Sequence, residues 1–255
     1  MSRAAFAELQ NRRGERLDHA FVLARPPLAE DGTRGALALL AHGVTSAHDR
    51  PYLIALGEAL AMLGVDVLRF TFAGNGASAG RFDDCTPSKE VEELAAVLDV
   101  AAAAGYQRIG YAGHSMGGAV GVLRAAEDPR IRALVSLAGM FHVARFYARV
   151  AAKLQHGELL LGKAGCPWNR ALDEDARRLG SLDDAAARVR CPWLLIHGTL
   201  DELVPLHDSF DARAAAQAAG QQPEIIALSG VDHRFTGAID AMVAHVAPGL
   251  AAHLR

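Results

Sequence analysis

The pentapeptide Gly113-His114-Ser115-Met116-Gly117 constrains this chain more than any other feature. It follows an apolar run, RIGYAG at 108–113, that reads as a buried strand, and it precedes GAVGVLRAAE, which has the spacing of a helix. A strand that turns into a helix within a few residues leaves little room. Side chains at 113 or 117 would meet the neighbouring strand or helix, and Gly118 lets the helix pack close to the turn. Ser115 at the apex is predicted to adopt strained backbone geometry, its hydroxyl raised above the sheet. The helix N-terminus beside it favours developing negative charge. A hydroxyl is a weak nucleophile at neutral pH, so a serine presented in this way calls for a base nearby.

The rest of the chain supplies a sheet for this turn to belong to. HAFVLAR (19–25), GALALLA (35–41), VDVLRFTF (65–72), ALVSLAG (133–139), PWLLIHG (192–198) and EIIALS (224–229) read as further strands. Several are apolar without alternation, as strands covered on both faces must be. Helices are predicted over 50–63, 87–104, 117–127, 204–219 and 237–254, one of them marked by Thr86 as cap and Pro87 in its first turn. The alternation predicts an α/β fold, a mostly parallel sheet with helices on both faces. Residues 140–190 break the rhythm. They hold no convincing strand and read as a small helical insertion that caps Ser115, so residues 1–255 are expected to form one domain. The insertion's first part, 141–155, reads as a helix. Phe146, Val150 and Leu154 repeat at helical spacing, Val143, Tyr147 and Ala151 form an adjoining stripe, and Arg145, Arg149 and Lys153 form a basic one. Phe146 and Tyr147 are the candidate substrate-binding residues.

A base and an acid follow in order. His197-Gly198-Thr199-Leu200-Asp201 comes directly after the strand PWLLI, which puts Asp201 in a loop at the strand's C-terminal end, the edge where ligands bind in open α/β sheets. Asp232-His233 lies in the loop after the last strand. In this pattern His233 takes the proton from Ser115, while Asp201 fixes the imidazole tautomer and stabilises the imidazolium. His114 is adjacent to Ser115 and poorly placed to face its hydroxyl, and His197 ends a strand before the acid loop. Glu202 and Asp208 are alternatives for the acid. An oxyanion needs two donors. The backbone N–H of Met116 is one, and that of Val44, after Ala41-His42-Gly43, is the best placed second.

The order Ser, Asp, His, each after its own strand, is that of the α/β-hydrolase fold. The chain resembles α/β-hydrolases of the cinnamoyl/feruloyl esterase and serine aminopeptidase-like group. The resemblance rests on His42-Gly43, Gly74-Asn75-Gly76-Ala77-Ser78, Gly113 to Gly118, His197-Gly198 with Asp201 and Val204-Pro205, and Asp232-His233. It spans residues from about 19 to 250. One position departs from the group's pattern: Thr71 stands where an acidic, non-catalytic residue is usual. The resemblance implies a serine hydrolase that cleaves carboxylic esters through an acyl-enzyme, with no metal or organic cofactor. A thioesterase, or a peptidase or amidase, would use the same residues. A non-catalytic ligand-binding member of the fold commonly lacks one of the triad, and none is missing here.

Bulk properties narrow the partners. The formal net charge is −3 with no long run of either sign, which gives no electrostatic footprint for nucleic acid. The expected partner is a small ester or other acyl substrate. Cys85, Cys166 and Cys191 lie far apart without metal-ligand spacing, and reduced thiols in a cytoplasm are expected. No stretch approaches the roughly 20 apolar residues of a membrane span. The first twenty residues lack a signal-peptide core, which also predicts a cytoplasmic protein.

Overall fold

The computed structural model describes residues 6–25 and 35–255; the very start of the chain, read above for a leader, lies partly outside the described residues. Among the described residues seven strands form one sheet: β1 (His19–Val22), β2 (Ala36–Ala41), β3 (Val65–Phe70), β4 (Arg108–His114), β5 (Ile131–Leu137), β6 (Trp193–Gly198) and β7 (Glu224–Leu228). Their order across the sheet is β1-β3-β2-β4-β5-β6-β7. β1 runs antiparallel to β3 at one edge, and every other pairing is parallel. All six residues of β2 are buried, which explains its unbroken apolar text. The expected α/β architecture is therefore the one observed.

Helices α1 (Pro51–Met62) and α8 (Ile239–His253) cover one face. Tyr52, Leu53, Leu56 and Leu60 of α1 share a buried cluster there with Met242, Val246 and Leu250 of α8. Helices α2 (Pro87–Ala103), α3 (Met116–Ala125) and α7 (Leu206–Ala218) cover the other face, through Leu94, Val97, Val120, Val122 and Ala212. The start of α2 has the predicted cap: Thr86 accepts from the Lys89 amide at 3.2 Å, with Pro87 in the first turn. Between β5 and β6 the chain forms α4 (Val143–Ala151), a 3-10 turn at Leu160–Gly162, α5 (Arg170–Leu179) and the short α6 (Asp183–Ala186). The ends of this stretch are tied together, since the amide of Leu182 donates to the carbonyl of Phe141 and that of Ala144 to Gly180.

Three elements are shorter than their apolar text. β1 leaves the sheet after Val22 because the Ala24 amide turns to the Asp66 carboxylate and the Arg25 amide to the Ala61 carbonyl. β3 ends at Phe70 because the Phe72 amide donates to the ring of His42. The helix predicted over 141–155 covers only 143–151. Phe141 is held by Leu182, and the amides of Lys153 and Leu154 bond three residues back, tightening the chain out of the helix.

One buried group under the sheet runs against stability. Glu90 on α2 is 1% exposed, and neither carboxylate oxygen has a hydrogen-bond partner. Burial, reinforced by the neighbouring charge of Glu93, pushes its carboxyl well above the usual range. With the folded value raised, stability is full below the unfolded value, near pH 4.3, and falls as pH rises toward the folded one, because the unfolded chain ionises first. Glu90→Gln should therefore raise the melting temperature at pH 7.5 by about 2–4 °C, the shift expected for roughly 1 kcal/mol at this size. The gain should vanish near pH 4. Thermal denaturation at both values checks it, and an equal difference at the two would refute the account.

Candidate active site

Ser115 sits between β4 and α3, at φ 53° and ψ −114°, a left-handed conformation for a residue with a side chain. The ladder fixes it there: its amide donates to the Leu137 carbonyl, and its own carbonyl accepts from the amides of Gly118 and Met140. The glycines are required by contact. A Cβ on Gly113 would lie 2.2 Å from the Gly117 carbonyl oxygen, and one on Gly117 would lie 2.5 Å from that of His42. Five non-glycine residues have positive φ among the described residues, and Thr45, Ser115 and Leu161 of these line one cavity. Backbone strain of this kind gathers where a site is held in place by its surroundings.

The cavity has a volume of about 320 Å³ and lies at the C-terminal edge of the sheet. Ser115, His233 and Val44 all reach it. Behind His233, its Nδ1–H donates to Asp201 Oδ2 at 2.6 Å, which leaves Nε2 as the nitrogen free to take a proton. The Asp201 side chain is fully buried. Burial alone would raise its carboxyl; hydrogen bonds from His197 and His233, the charge of His233 and the Val204 amide outweigh this and hold it well below the usual carboxylate range. Its second oxygen, Oδ1, accepts from the amides of Leu203 and Val204 at 2.9 and 2.8 Å. Among the described residues no hydrogen bond links the Ser115 hydroxyl to His233. Such contacts are often long before a substrate is seated.

The turn at 42–44 approaches the serine closely, since a Cβ on Gly43 would be 2.9 Å from Ser115 Cβ. His42 holds this turn, donating from Nδ1 to the Gly43 carbonyl at 2.7 Å and accepting the Phe72 amide at Nε2. Burial lowers its ring to about 4, so it stays neutral in this role. Neither the Val44 nor the Met116 amide donates to another group among the described residues. Thr71, the departure from the family pattern, is buried and accepts the His48 amide at its hydroxyl, while its carbonyl accepts from Ser78. It thereby ties two loops near the site with neutral groups.

Two histidines that sequence position set aside do have places here. His114 donates from Nε2 to the backbone carbonyl of His233 at 2.8 Å, and the Tyr52 hydroxyl donates to its Nδ1 at 3.1 Å. Burial, helped by His233, lowers the His114 ring to about 3 and keeps it neutral. The turn of Ser115 is thus bonded directly to the loop that carries His233. His197 is fully buried; its Nε2 donates to Asp201 Oδ2 and to the Val204 carbonyl, and Ser209 donates to its Nδ1. The spacing His197-x-x-x-Asp201 was the one signal that could have paired these two. Of the alternative acids, Asp208 is buried in an ion pair with Arg145, and Glu202 lies on the wall of a neighbouring groove.

From the 140–190 stretch, Phe146, Leu161 and Lys163 reach the cavity. Tyr147 does not. It is 1% exposed, stacked on Trp168 at 5.5 Å, with its hydroxyl against the Met116 sulfur. The basic stripe is also divided, because Arg145 is taken by Asp208 and Arg149 donates to the Leu203 carbonyl.

The sequence pattern of the prolyl oligopeptidase family matches residues 79–247, which hold Ser115, Asp201 and His233. The chain belongs to the prolyl oligopeptidase family. Solved structures share its fold across nearly their whole length. Est1E from Butyrivibrio proteoclasticus, with ferulic acid bound, is 22% identical, covering 96% of this chain and 98% of that one at a TM-score of 0.79. The esterase domain of a Rhodothermus marinus protein is 25% identical over 96% and 94%, at 0.70. The Pyrococcus furiosus esterase Pf2001 is 19% identical over 97% and 90%, at 0.70. No curated protein sequence matches. The family assignment and these neighbours agree with the α/β-hydrolase resemblance carried by the motifs, and among the described residues no helix is long and apolar enough to cross a membrane.

Proposed function

We propose that this member of the family is a serine hydrolase of carboxylic esters. Ser115 Oγ attacks the ester carbonyl carbon as His233 Nε2 takes its proton, and the Val44 and Met116 amides receive the oxyanion. The C–O bond to the alcohol then breaks, and the alcohol leaves with the proton from His233. Water, deprotonated by His233, attacks the acyl-serine and releases the acid. Asp201 holds the His233 tautomer throughout. No step calls for a metal or an organic cofactor. The observation that carries this reading is the pair at 2.6 Å between a buried, ionised Asp201 and a His233 that opens on the same cavity as the strained Ser115. The unpaired thiols of Cys85, Cys166 and Cys191 favour a reducing cytoplasm as its compartment.

A fluorophosphonate should label the protein once, at Ser115; a protein that binds substrate analogues yet resists the probe would be a binder instead. The family match also favours trying amides. Oxygen esters should give higher kcat/KM than matched thioesters or aminoacyl amides, and the reverse order would replace the esterase reading with a thioesterase or peptidase one.

In this reading residues 140–190 are a cap, and Phe146 is a wall of the acyl pocket. Phe146→Ala should change the ratio of kcat/KM for hexanoate and acetate esters by about fivefold or more, since each methylene-sized change in a pocket is worth about 1–3 kcal/mol. Tyr147→Ala, inside the core, should act on stability instead, at about 3–5 kcal/mol. A ratio within twofold of wild type in a folded Phe146→Ala protein would remove Phe146 from the pocket.

A further inference from the structure

The cavity at Ser115 has two unlike walls. Phe146, Leu161 and Leu203 form an apolar one, which continues into a groove lined by Val150, Leu154 and Leu159. The rest of the lining holds Thr45, Ser46 and Tyr52 with Arg50 and Arg234, and Lys163 is a third cationic residue there. Among the described residues no Asp or Glu lines the cavity. This is a local excess in a chain whose formal net charge is −3, so it does not follow from a basic composition.

Among the described residues these cations are less closely paired than others. Arg145 is paired with Asp208 and Arg130 with Asp128. Among the described residues Arg234 and Lys163 are in no ion pair, and Arg50 meets only the adjacent Asp49, at 3.9 Å. Arg50 Nε is buried without a hydrogen-bond partner. The carboxylate of Asp232, near Arg234 in sequence, accepts from the backbone amides of Arg234 and Thr236, and the charge of Arg234 helps to lower it without an ion-pair contact. Burial raises the Tyr52 phenol to about 12, against the opposing charges of Arg50 and Arg234 and a Ser46 hydrogen bond.

We infer that the substrate is an ester whose alcohol part carries an anionic group, a carboxylate or a phosphate, seated against Arg50 and Arg234, while its acyl part lies along the Phe146 wall. This rests on the hydrolase reading above. A planar guanidinium fork suits either anion. The product alcohol leaves with the anion still attached.

The test compares kcat/KM for p-carboxyphenyl butyrate and its neutral p-carbamoylphenyl isostere at low ionic strength. The anionic ester should be preferred by about tenfold, the scale of a hydrogen bond to a charged group. The preference should shrink in about 0.5 M salt, as screening shortens the reach of the charges. Arg234→Gln should cut the ratio about threefold, and Arg50→Gln/Arg234→Gln should bring it to unity; if the double variant does not fold, the exposed Arg234 decides alone. A p-phosphonomethylphenyl ester in the same series shows which anion fits better. Equal rates for the two isosteres in the wild type overturn the inference, as does a preference that neither variant moves. So does a larger preference for the hemiglutarate phenyl ester, which carries its anion on the acyl side. Hydrolysis of the neutral isostere tells these outcomes apart from failure of the hydrolase reading, in which no ester is turned over.

Discussion

Ser115→Ala should lose activity by a factor on the order of 10⁴ to 10⁶ while the protein stays folded. The fold should survive because the strained turn is held by backbone groups: the Ser115 amide on the Leu137 carbonyl, and the Ser115 carbonyl on the amides of Gly118 and Met140. Alanine keeps all of them. What remains is binding and the two oxyanion donors, and the residual rate measures their worth. His233→Ala should cost about as much. The loop of the base should stay in place, because His114 bonds the backbone carbonyl at 233 and not its side chain. Since the two side chains act as one unit, the double variant should be scarcely slower than either single one. Initial rates with a small acetate ester, beside circular dichroism of each variant, make the measurement. More than a tenth of wild-type activity in Ser115→Ala would sink the assignment.

The chain's text showed some of this and hid the rest for physical reasons. The turn at 113–117 was legible because its steric demand is local: glycine must stand where a Cβ would come within 2.2 Å of the Gly117 carbonyl. The positions of Asp201 and His233 were legible because a parallel sheet places the residue after each strand at one edge. Contacts between distant segments left no such trace. His114 meets the His233 backbone 119 residues away, and nothing in the spacing of either segment encodes it. Arg145 stood in a basic stripe with Arg149 and Lys153, yet its partner Asp208 comes from α7, 63 residues on. Tyr147 shows the limit of periodicity. A helical stripe tells which face turns inward but not how deep each side chain goes, so Phe146 reaches the cavity while its neighbour packs on Trp168. The direction of β1 was hidden for a similar reason, because an apolar edge strand reads alike whether it runs parallel or antiparallel.

Asp201→Asn should lower kcat by about 10³ to 10⁴ with little change in KM, and the hydrogen bonds around the carboxylate say why. Oδ1 accepts from two backbone amides, and Oδ2 accepts from His197 and His233. All four partners are donors as the site stands, and an asparagine has only one oxygen to offer them. If that oxygen stays with the amides of Leu203 and Val204, its NH₂ faces the two rings. His233 must then accept at Nδ1, which moves its proton to Nε2, the atom that has to take the serine's proton. If the amide turns over, its NH₂ meets the two backbone N–H groups and leaves both unsatisfied at a buried point, at a cost of about 1–3 kcal/mol each. The first arrangement is cheaper and catalytically wrong, so the variant should be folded and slow. Controls separate this from a general loss of negative charge. Asp208→Asn weakens the ion pair to Arg145, and Glu202→Gln changes a residue on the neighbouring groove; each should stay within a few-fold of wild type in kcat. Steady-state kinetics on one neutral ester compares the three. If Asp201→Asn kept near wild-type kcat while Glu202→Gln or Asp208→Asn was inactive, the acid would belong to another residue, and the 2.6 Å contact to His233 would be structural only.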